Sequence, residues 1–202
     1  MLFNADGTHL AGTRVGTSEI DSFDVGFDGR LTAAPGSPYP AQGPGPFGSE
    51  FRPTNPDQLF VSNAHGGALA GSVSAFAVAW NGRLRSIGAS PFADQQTAPC
   101  WVEISHDGRY LFAVNTASGT VSSYRIAFDG SLTLVSTTPV DDATMAGPFD
   151  ARLSPSGDTL WVVDNGIKAV TAFRVNGGYL HRLSTSPTAL PGDAAPFGIV
   201  VN

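Results

Sequence analysis

One sequence pattern returns four times in this chain of 202 residues, and it constrains the fold more than any other feature. Each copy has a leucine that opens a strand, an aromatic residue in the next strand, a second leucine beyond a turn, and then a proline that begins a new segment. The equivalent residues are Leu10, Leu59, Leu111 and Leu160; Phe23, Phe76, Tyr124 and Phe173; Leu31, Leu84, Leu132 and Leu180; and Pro46, Pro99, Pro148 and Pro196. Because these separate landmarks keep a spacing of 48 to 53 residues, the pattern predicts a repeat protein.

Each repeat is predicted to form four short β-strands. The segment "TVSSYRI" (residues 120–126) alternates β-branched or aromatic residues with small polar ones, which is typical of a strand with two different faces. The tripeptides "FDG" and "WNG" before the last strand indicate tight hairpins, because Asn-Gly and Asp-Gly accept positive φ. No stretch keeps a helical period, since prolines and glycines interrupt every candidate. We therefore predict an all-β protein.

Four-stranded repeats of about 50 residues predict a β-propeller, in which small sheets pack face to face around an axis. One small sheet cannot bury both of its faces, and radial packing supplies a neighbour for each. We predict a single β-propeller domain over residues 1–202, made of four antiparallel, four-stranded blades. The predicted units are about 1–45, 46–98, 99–147 and 148–195, followed by a closing strand, 196–202.

The C-terminal segment "PFGIVVN" is in phase with the N-terminal repeat, because Val201 occupies the repeat position of Phe3. It therefore supplies the first strand that the N-terminal repeat lacks. We predict that residues 196–201 pair with the strand around Leu10 and close a ring, although residues 1–3 compete for the same position. Two alternatives stay open: two chains form an eight-bladed ring, or the chain is the last four blades of a larger protein.

Composition excludes several classes of function. The formal charge is −6, the pI is about 4.9, and the 11 basic residues are scattered, so nucleic-acid binding is not expected. The single cysteine, Cys100, excludes an internal disulfide, and no HxH or HExxH spacing predicts a metal site; we expect no cofactor. No signal-peptide pattern or transmembrane-length run is visible, so we expect a soluble, cytoplasmic protein without membrane contact, unless an export signal lies in a missing part.

Two long segments, "SHDGRYLFAVNTASGTVSSYRIAFDGSLTLV" and "SPSGDTLWVVDNG" with the following "AVTAFRV", resemble the lactonase family of β-propellers. This family includes relatives of bacterial phosphogluconolactonase and of fungal carboxymuconate cycloisomerase. The resemblance extends over nearly the whole chain, and it implies a propeller fold and hydrolysis of a sugar lactone. Members of the family usually have seven blades, whereas this chain holds about four.

The resemblance also implies a catalytic set that this sequence does not match. In the enzymes, Arg and His follow the proline of the first strand, and a Glu follows the Asn that ends the second strand. The positions after proline hold Phe47–Gly48, Cys100–Trp101, Phe149–Asp150 and Phe197–Gly198 in this chain. Ala64 and Thr116 stand where the Glu is expected. The set either lies on other blades or is not used.

Four polar residues share one repeat position, at the end of the second strand of each unit. They are Arg14, Asn63, Asn115 and Asp164. In a ring they would form a polar circle near one mouth of the channel, where a guanidinium binds carboxylate or phosphate and the amides bind hydroxyl groups. The alternative is local turn capping, because Asn and Asp favour hydrogen bonds to nearby backbone.

A second shared position lies on the innermost strand and holds Glu50, Glu103 and Arg152. These residues would line the axis, where neighbouring carboxylates raise one another's pKa values. The alternative is a Glu–Arg ion pair that only fills the channel. For hydrolysis of a lactone, Asp150 or Glu103 would act as general base and Arg14 would stabilise the oxyanion.

Two classes of function remain after these observations. Hydrolysis of a sugar lactone such as 6-phosphogluconolactone follows from the family resemblance. The rival is a non-catalytic propeller whose mouth binds a ligand or a protein, since propellers serve both purposes. The expected partners are a small lactone or sugar acid and, if the ring is shared, a second copy in a homodimer.

Overall fold

The structure is a computed structural model that describes residues 1–142, 147–192 and 195–201. Within these ranges the regular secondary structure is β-strand throughout, arranged in four antiparallel sheets. The prediction of an all-β protein built from four antiparallel blades is confirmed. Among the same residues, no helix is long and apolar enough to cross a membrane.

Blades 1 and 2 each contain five strand segments. Blade 1 consists of β1 (Leu2–Phe3), β2 (His9–Arg14), β3 (Glu19–Val25), β4 (Leu31–Ala33) and β5 (Tyr39–Pro40). Blade 2 consists of β6 (Pro46–Arg52), β7 (Asn55–Asn63), β8 (Ser72–Val78), β9 (Leu84–Ser86) and β10 (Phe92–Ala93). In both, the strands follow one another from the innermost outward, and the last two segments both pair with the third strand.

Blades 3 and 4 repeat this order. Blade 3 consists of β11 (Pro99–Ile104), β12 (Tyr110–Asn115), β13 (Thr120–Ile126) and β14 (Leu132–Pro139). Blade 4 consists of β15 (Pro148–Leu153), β16 (Thr159–Asp164), β17 (Ala169–Asn176), β18 (Tyr179–Arg182) and β19 (Thr188–Ala189). The innermost strands β6, β11 and β15 are neighbours around a common axis.

A Ser-Pro dipeptide explains why the outermost strand is split in blades 1, 2 and 4. The serine hydroxyl accepts a backbone N–H from the third strand, in the place of a carbonyl of the ladder. The pairs are Ser37 with Ser22, Ser90 with Ala75, and Ser186 with Ala172. Blade 3 has no Ser-Pro at this position, and its outer strand β14 is continuous over Leu132–Pro139. The four predicted strands are thus five segments wherever this dipeptide occurs.

Neighbouring blades pack through apolar faces that form three clusters. We call the face that packs on the preceding blade the leading face, and the one that packs on the following blade the trailing face. Leading faces carry Leu59 and Phe76, Leu111 and Tyr124, and Leu160 and Phe173; trailing faces carry Ala11 and Ile20, Phe60 and Val73, and Phe112 and Val121. Burial of each large side chain stabilises the fold by about 1.5–3 kcal/mol, so these faces hold the blades together.

The predicted closing strand is wrong. β1 takes the position beside β2, with Phe3 opposite Leu10. Residues 195–201 form no strand, and they lie beside blade 4 instead. The N-terminal segment wins because it joins β2 by a short turn, whereas the far end must close a loop of nearly the whole chain, at a larger cost in entropy. Asn202, the last residue of the predicted strand, lies outside the described residues.

Gly12 provides space for this arrangement. A Cβ atom at this position would lie 2.8 Å from Cγ of Met1, so the methionine side chain fills the volume that a larger residue would occupy. The equivalent residues in the other blades are Val61, Ala113 and Val162. In the N-terminal blade, the side chain of Met1 therefore fills the space that a side chain of the second strand fills in the other blades.

The inter-blade faces should carry most of the stability, and two phenylalanines of blade 3 allow a matched test. Phe112 is fully buried between blades 3 and 4, whereas Phe128 in the hairpin after β13 is 96% exposed. We expect Phe112→Ala to lower the free energy of unfolding by about 3–5 kcal/mol, because it removes buried surface and leaves a cavity. Phe128→Ala should change it by less than about 0.5 kcal/mol. Denaturant unfolding measures both, and equal effects would contradict the assignment.

Candidate functional site

A cavity of about 470 Å³ opens where the innermost strands of the four blades face the axis. β1, β6, β11 and β15 all contribute to its wall. The three residues that share the innermost repeat position, Glu50, Glu103 and Arg152, all line it. Phe47 and Trp101 add aromatic surface to the same wall. The structure thus brings a partly buried cluster of ionisable side chains to a concave, partly apolar site, which is typical of small-ligand sites.

Glu103 and Arg152 form an ion pair across blades 3 and 4. Oε2 of Glu103 accepts a hydrogen bond from Nη1 of Arg152 at 2.8 Å, and Oε1 accepts the backbone N–H of Leu153 at 2.9 Å. The guanidinium also lies over the Trp101 ring, 5.2 Å from its centroid. Burial raises the pKa of Glu103, and the Leu153 N–H and Arg152 partly oppose this rise. Both donors favour the ionised form of Glu103 over its protonated form.

Glu50 has a different environment. Its carboxyl group accepts the backbone N–H of Ile104, the same bond that Glu103 makes one blade further on. Its Oε2 atom is buried and has no hydrogen-bond partner among the described residues. Burial, and then the nearby charge of Glu103, raises the pKa of Glu50 well above its ordinary value. Of the two acids, Glu50 is therefore the one whose protonated form its surroundings favour more strongly.

Asp150 lies on β15 but does not line the cavity. Its Oδ2 atom accepts the backbone N–H of Ile199 at 3.1 Å, and Oδ1 accepts that of Ala151 at 2.7 Å. Burial raises the pKa of Asp150, against the effect of the Ile199 N–H and of Arg152. The carboxylate predicted as an alternative general base thus holds the segment 195–201 against blade 4.

The predicted polar circle is occupied by bonds within each blade. Every strand-end side chain reaches the third strand of its own sheet, and within the described residues none of the four lines the cavity. The bonds are Arg14 to Asp21, Asn63 to Ser72 and Ser74, Asn115 to Thr120 and Ser122, and Thr171 to Asp164. These bonds are local, as in the turn-capping alternative, but the partners of the four residues are side chains and not backbone groups.

Arg14 shows why its position in the repeat was not enough to place its side chain at the mouth of the channel. Nε and Nη2 each donate to Asp21 at 2.7 Å, and Glu19 lies 3.9 Å from Nη1. Such a bidentate pair fixes the guanidinium plane against β3. Hydrogen bonding to Asp21 raises the pKa of Arg14. The structure therefore does not bring Arg14 to Glu103, as stabilisation of an oxyanion there would require.

Aromatic residues occupy three positions where the resemblance implied catalytic ones. Phe47 and Phe149 follow the first prolines of β6 and β15, and Phe197 follows Pro196 in the segment 195–201. The rings of Phe47 and Phe149 meet edge to face with centroids 5.9 Å apart, and those of Phe149 and Phe197 at 4.9 Å. These contacts make one mouth of the axis apolar.

Sequence reasoning missed two features that the repeat could have indicated. Trp101 lies two residues before Glu103, so alternation along β11 predicts that both face the axis. Asp94 stands where the other blades have Ala41, Val140 and Leu190, and it is completely buried. Burial raises the pKa of Asp94, and its charge helps to raise the pKa of the neighbouring Tyr124. The signal that could have indicated Asp94 is an acid at a repeat position that is apolar in the other three blades.

Metal binding has no support in the described part of the chain, where no group of three or more His, Cys, Asp or Glu side chains is placed to hold an ion.

The architecture defines a β-propeller with a charged axial cavity. A family model described as "Lactonase, 7-bladed beta-propeller" matches residues 51–196, which is more than half of the chain. The chain therefore belongs to this lactonase family. No curated protein matches its sequence.

Three solved structures have the same fold. A protein of unknown function from Desulfotomaculum acetoxidans has a TM-score of 0.74 at 18% identity, over 98% of this chain and 59% of its own. A candidate 6-phosphogluconolactonase from Bacteroides uniformis has a TM-score of 0.75 at 19% identity, over 95% of this chain and 57% of its own. The periplasmic gluconolactonase of Pseudomonas aeruginosa has a TM-score of 0.72 at 22% identity, over 96% of this chain and 56% of its own. The chain thus spans less than two thirds of the length of these proteins, and the likeness shows the fold alone.

Asp164 gives a pH test of the strand-end position. Burial is the main cause that raises the pKa of Asp164 to about 7, with a smaller effect of Asp141. The unfolded chain releases this proton near pH 4, so the folded state binds more protons between about pH 4 and 7. The contribution of Asp164 to the free energy of unfolding therefore falls as the pH rises through this window.

We expect Asp164→Asn to stabilise the protein at pH 8, relative to pH 5, by the order of 2 kcal/mol. The amide can donate to Thr171, as Asn63 and Asn115 donate to their serines. Denaturant unfolding of parent and variant at both pH values measures the difference, with exposed Asp57→Asn as control. Parallel pH profiles of the parent and Asp164→Asn would contradict the assignment.

Proposed function

We propose that the protein binds a sugar lactone in the axial cavity and hydrolyses it to the sugar acid. Membership of the lactonase family supports the substrate class, and similar folds occur in proteins named as gluconolactonase and as candidate 6-phosphogluconolactonase. The observation that carries the proposal is the pair of acids, Glu50 and Glu103, in one cavity with Arg152. Two carboxyl groups with different environments can act as acid and base in one reaction.

The two acids have complementary roles in this scheme. Glu103 is ionised and accepts a proton from water, while the water oxygen forms a bond to the lactone carbonyl carbon. The ring C–O bond then breaks, and protonated Glu50 gives its proton to the leaving oxygen. A proton passes from Glu103 to Glu50, which restores both groups for the next cycle. The bonds of Glu103 to Arg152 and Leu153 leave a lone pair on each oxygen for this purpose.

Arg152 takes the role that the sequence predicted for Arg14. Nη1 is engaged by Glu103 and by the backbone oxygen of Ala151, and the guanidinium carries further N–H groups on Nε and Nη2. These groups stabilise negative charge on the carbonyl oxygen, or bind a carboxylate or phosphate of the substrate. Trp101, beneath the guanidinium, offers a flat surface to the apolar face of a sugar ring.

A non-catalytic role is the second candidate, and two observations favour it. Arg152 and the Leu153 N–H together engage both oxygens of Glu103, as an ion pair that only fills the axis would do. The positions for which the resemblance implies Arg and His hold neither residue, and the first of the two is phenylalanine in three of the four repeats. In this role the cavity would bind a sugar acid without turning over its lactone.

Turnover of gluconolactone and 6-phosphogluconolactone above the spontaneous rate tests the proposal. We expect Glu50→Gln to lower kcat/KM by about 10²–10⁴, because the amide keeps the shape of the side chain but cannot transfer a proton. The matched control is Asp57→Asn, an equivalent change at an exposed site of the same blade, which should retain the parent rate.

Calorimetric titration with gluconate separates the two candidates. Gluconate binding without turnover by the parent protein would favour the non-catalytic role. Turnover that Glu50→Gln leaves unchanged would remove the acid pair from the mechanism. If the protein neither binds gluconate nor turns over either lactone, both candidates are rejected for this cavity.

A further inference from the structure

A second cavity, of about 470 Å³, lies between blades 3 and 4 and shares no lining residue with the axial cavity. Its wall comes from the turn between the first two strands of blade 3, the same turn of blade 4, and the hairpin between β17 and β18. Asp107, Asp158 and Arg109 bring charge to this wall, next to His106 and the ring of Tyr110. We call this space the inter-blade cavity.

Blades 2 and 3 have an equivalent space, and an arginine side chain fills it. Arg52 and Ser105 are repeat equivalents, because each follows the residue that pairs with the landmark leucine of the second strand. Nε of Arg52 donates to the backbone oxygen of Gly108 at 2.7 Å. Nη1 donates to the backbone oxygen of Ala127 at 3.0 Å and to Oε1 of Gln58 at 2.8 Å. The turn and the hairpin of the following blade thus hold a buried guanidinium between them.

The same space is larger between blades 3 and 4 because Ser105 is short. Its hydroxyl donates to Oδ1 of Asp107 at 2.6 Å, within its own turn, so the side chain does not cross to blade 4. The cavity that remains beside Arg52 is about 170 Å³, against about 470 Å³ between blades 3 and 4. The exchange of arginine for serine at one repeat position therefore opens the inter-blade cavity.

The backbone that holds Arg52 has a counterpart in blade 4. Gly108 and Gly157 occupy the same turn position, since each donates its N–H to the backbone oxygen three residues before it and each has positive φ. The preceding blade lies against both glycines: a Cβ atom at Gly108 would meet Thr54, and one at Gly157 would lie 3.2 Å from Nδ1 of His106. The turn of blade 4 thus faces blade 3 as the turn that binds the Arg52 guanidinium faces blade 2.

The charges on the wall favour a cation. Two carboxylates, those of Asp107 and Asp158, stand against the single guanidinium of Arg109, which leaves a net charge of −1 when His106 is neutral. The side chain of Arg109 is exposed, and its guanidinium lies over the Tyr110 ring, 5.9 Å from the centroid. Arg109 therefore stands at the rim and does not fill the space as Arg52 does.

Asp158 is held in its ionised form by its own turn. Its Oδ1 atom accepts hydrogen bonds from the hydroxyl groups of three neighbours, which are Ser154, Ser156 and Thr159. These bonds, that of Ser156 first, lower the pKa of Asp158. All three use Oδ1, so Oδ2 can accept a donor from a ligand in the cavity.

We propose that the inter-blade cavity binds a guanidinium group, in the position that the Arg52 side chain takes one blade earlier. The backbone oxygen of Gly157 accepts one N–H, as that of Gly108 does, and Asp158 accepts another in a charge-assisted bond. The group belongs either to a free guanidino compound or to an arginine side chain of another protein, and the recognition chemistry is the same. The proposal is independent of the proposed hydrolysis, because the two cavities share no residue.

Nuclear magnetic resonance titration of the backbone amides tests the proposal, with N-ethylguanidine as the probe. We expect the amide signals of Gly157 and Gly177 to shift with a dissociation constant on the order of 1 mM, as a ligand of so few atoms allows. The signal of Gly67, in an exposed loop of blade 2, should not move. No shift at Gly157 at about ten times that concentration would overturn the proposal. Inorganic phosphate that shifts these signals while N-ethylguanidine does not would also overturn it.

Two substitutions on the wall should act in different directions. Asp158→Asn removes a negative charge and should weaken N-ethylguanidine binding about tenfold. Arg109→Ala removes a like charge and should leave binding equal or tighter. Asp57→Asn is the matched control, because Asp57 is exposed and holds the repeat position of Asp158 in blade 2. Weaker binding by Arg109→Ala would overturn the proposal.

Ser105→Arg places a guanidinium in the cavity from the chain itself. We expect this variant to bind N-ethylguanidine more than about tenfold more weakly, because its own side chain takes the position. Ser105→Ala leaves the cavity open and should bind as the parent does. Circular dichroism checks that both variants fold. Unchanged binding by Ser105→Arg would overturn the proposal.

A Gly-Arg-Gly peptide with blocked ends distinguishes the two sources of the group. Binding about tenfold tighter than that of N-ethylguanidine supports an arginine side chain of another protein, because the peptide backbone then adds contacts. Equal or weaker binding supports a free guanidino compound. Either result agrees with the proposal, provided that Ser105→Arg abolishes the binding.

Discussion

Face-to-face packing of neighbouring blades is the interaction on which the rest of this structure depends. Each blade is a sheet of four or five short strand segments, too small to be stable with two apolar faces in water. Alternation along the strands places Phe60 and Val73 on one side of blade 2, and Leu59 and Phe76 on the other. Each side is buried only if another blade covers it. Radial stacking follows from this requirement, and it covers both sides of blades 2 and 3.

The axial cavity is a consequence of that packing. Stacked sheets bring their innermost strands together, so the side chains at one repeat position meet although they lie about 50 residues apart in sequence. Glu50, Glu103 and Arg152 meet in this way. A backbone N–H group of the following blade donates to each acid, and of the two acids Glu103 also accepts a hydrogen bond from Arg152. The difference in partners is the physical reason why the pKa of Glu50 lies well above its ordinary value, whereas two hydrogen-bond donors oppose the rise at Glu103.

Local geometry prevails at the ends of the second strands. A side chain there lies a few ångströms from the third strand of its own blade, so it reaches hydroxyl or carboxylate groups before it reaches the axis. Arg14 and Asn63 make such bonds, and they do not extend a polar ring around the mouth. At that mouth the rings of Phe47, Phe149 and Phe197 pack on one another. The chemistry of the site therefore concentrates on the innermost strands.

The sequence by itself determined the blades, their order and the residues that face one another. Period-two alternation, Asp-Gly turns and the landmark leucines act within a few residues of the chain, and such short-range signals survive in any tertiary context. It also predicted that Glu50, Glu103 and Arg152 share a position. Only the tertiary structure decided that β1 and not residues 196–201 pairs with β2, that Asp21 holds Arg14, and that Asp94 is buried beside Tyr124. Each of these outcomes depends on distances between separate segments and on the entropy of joining them, and repeat phase carries no information about either.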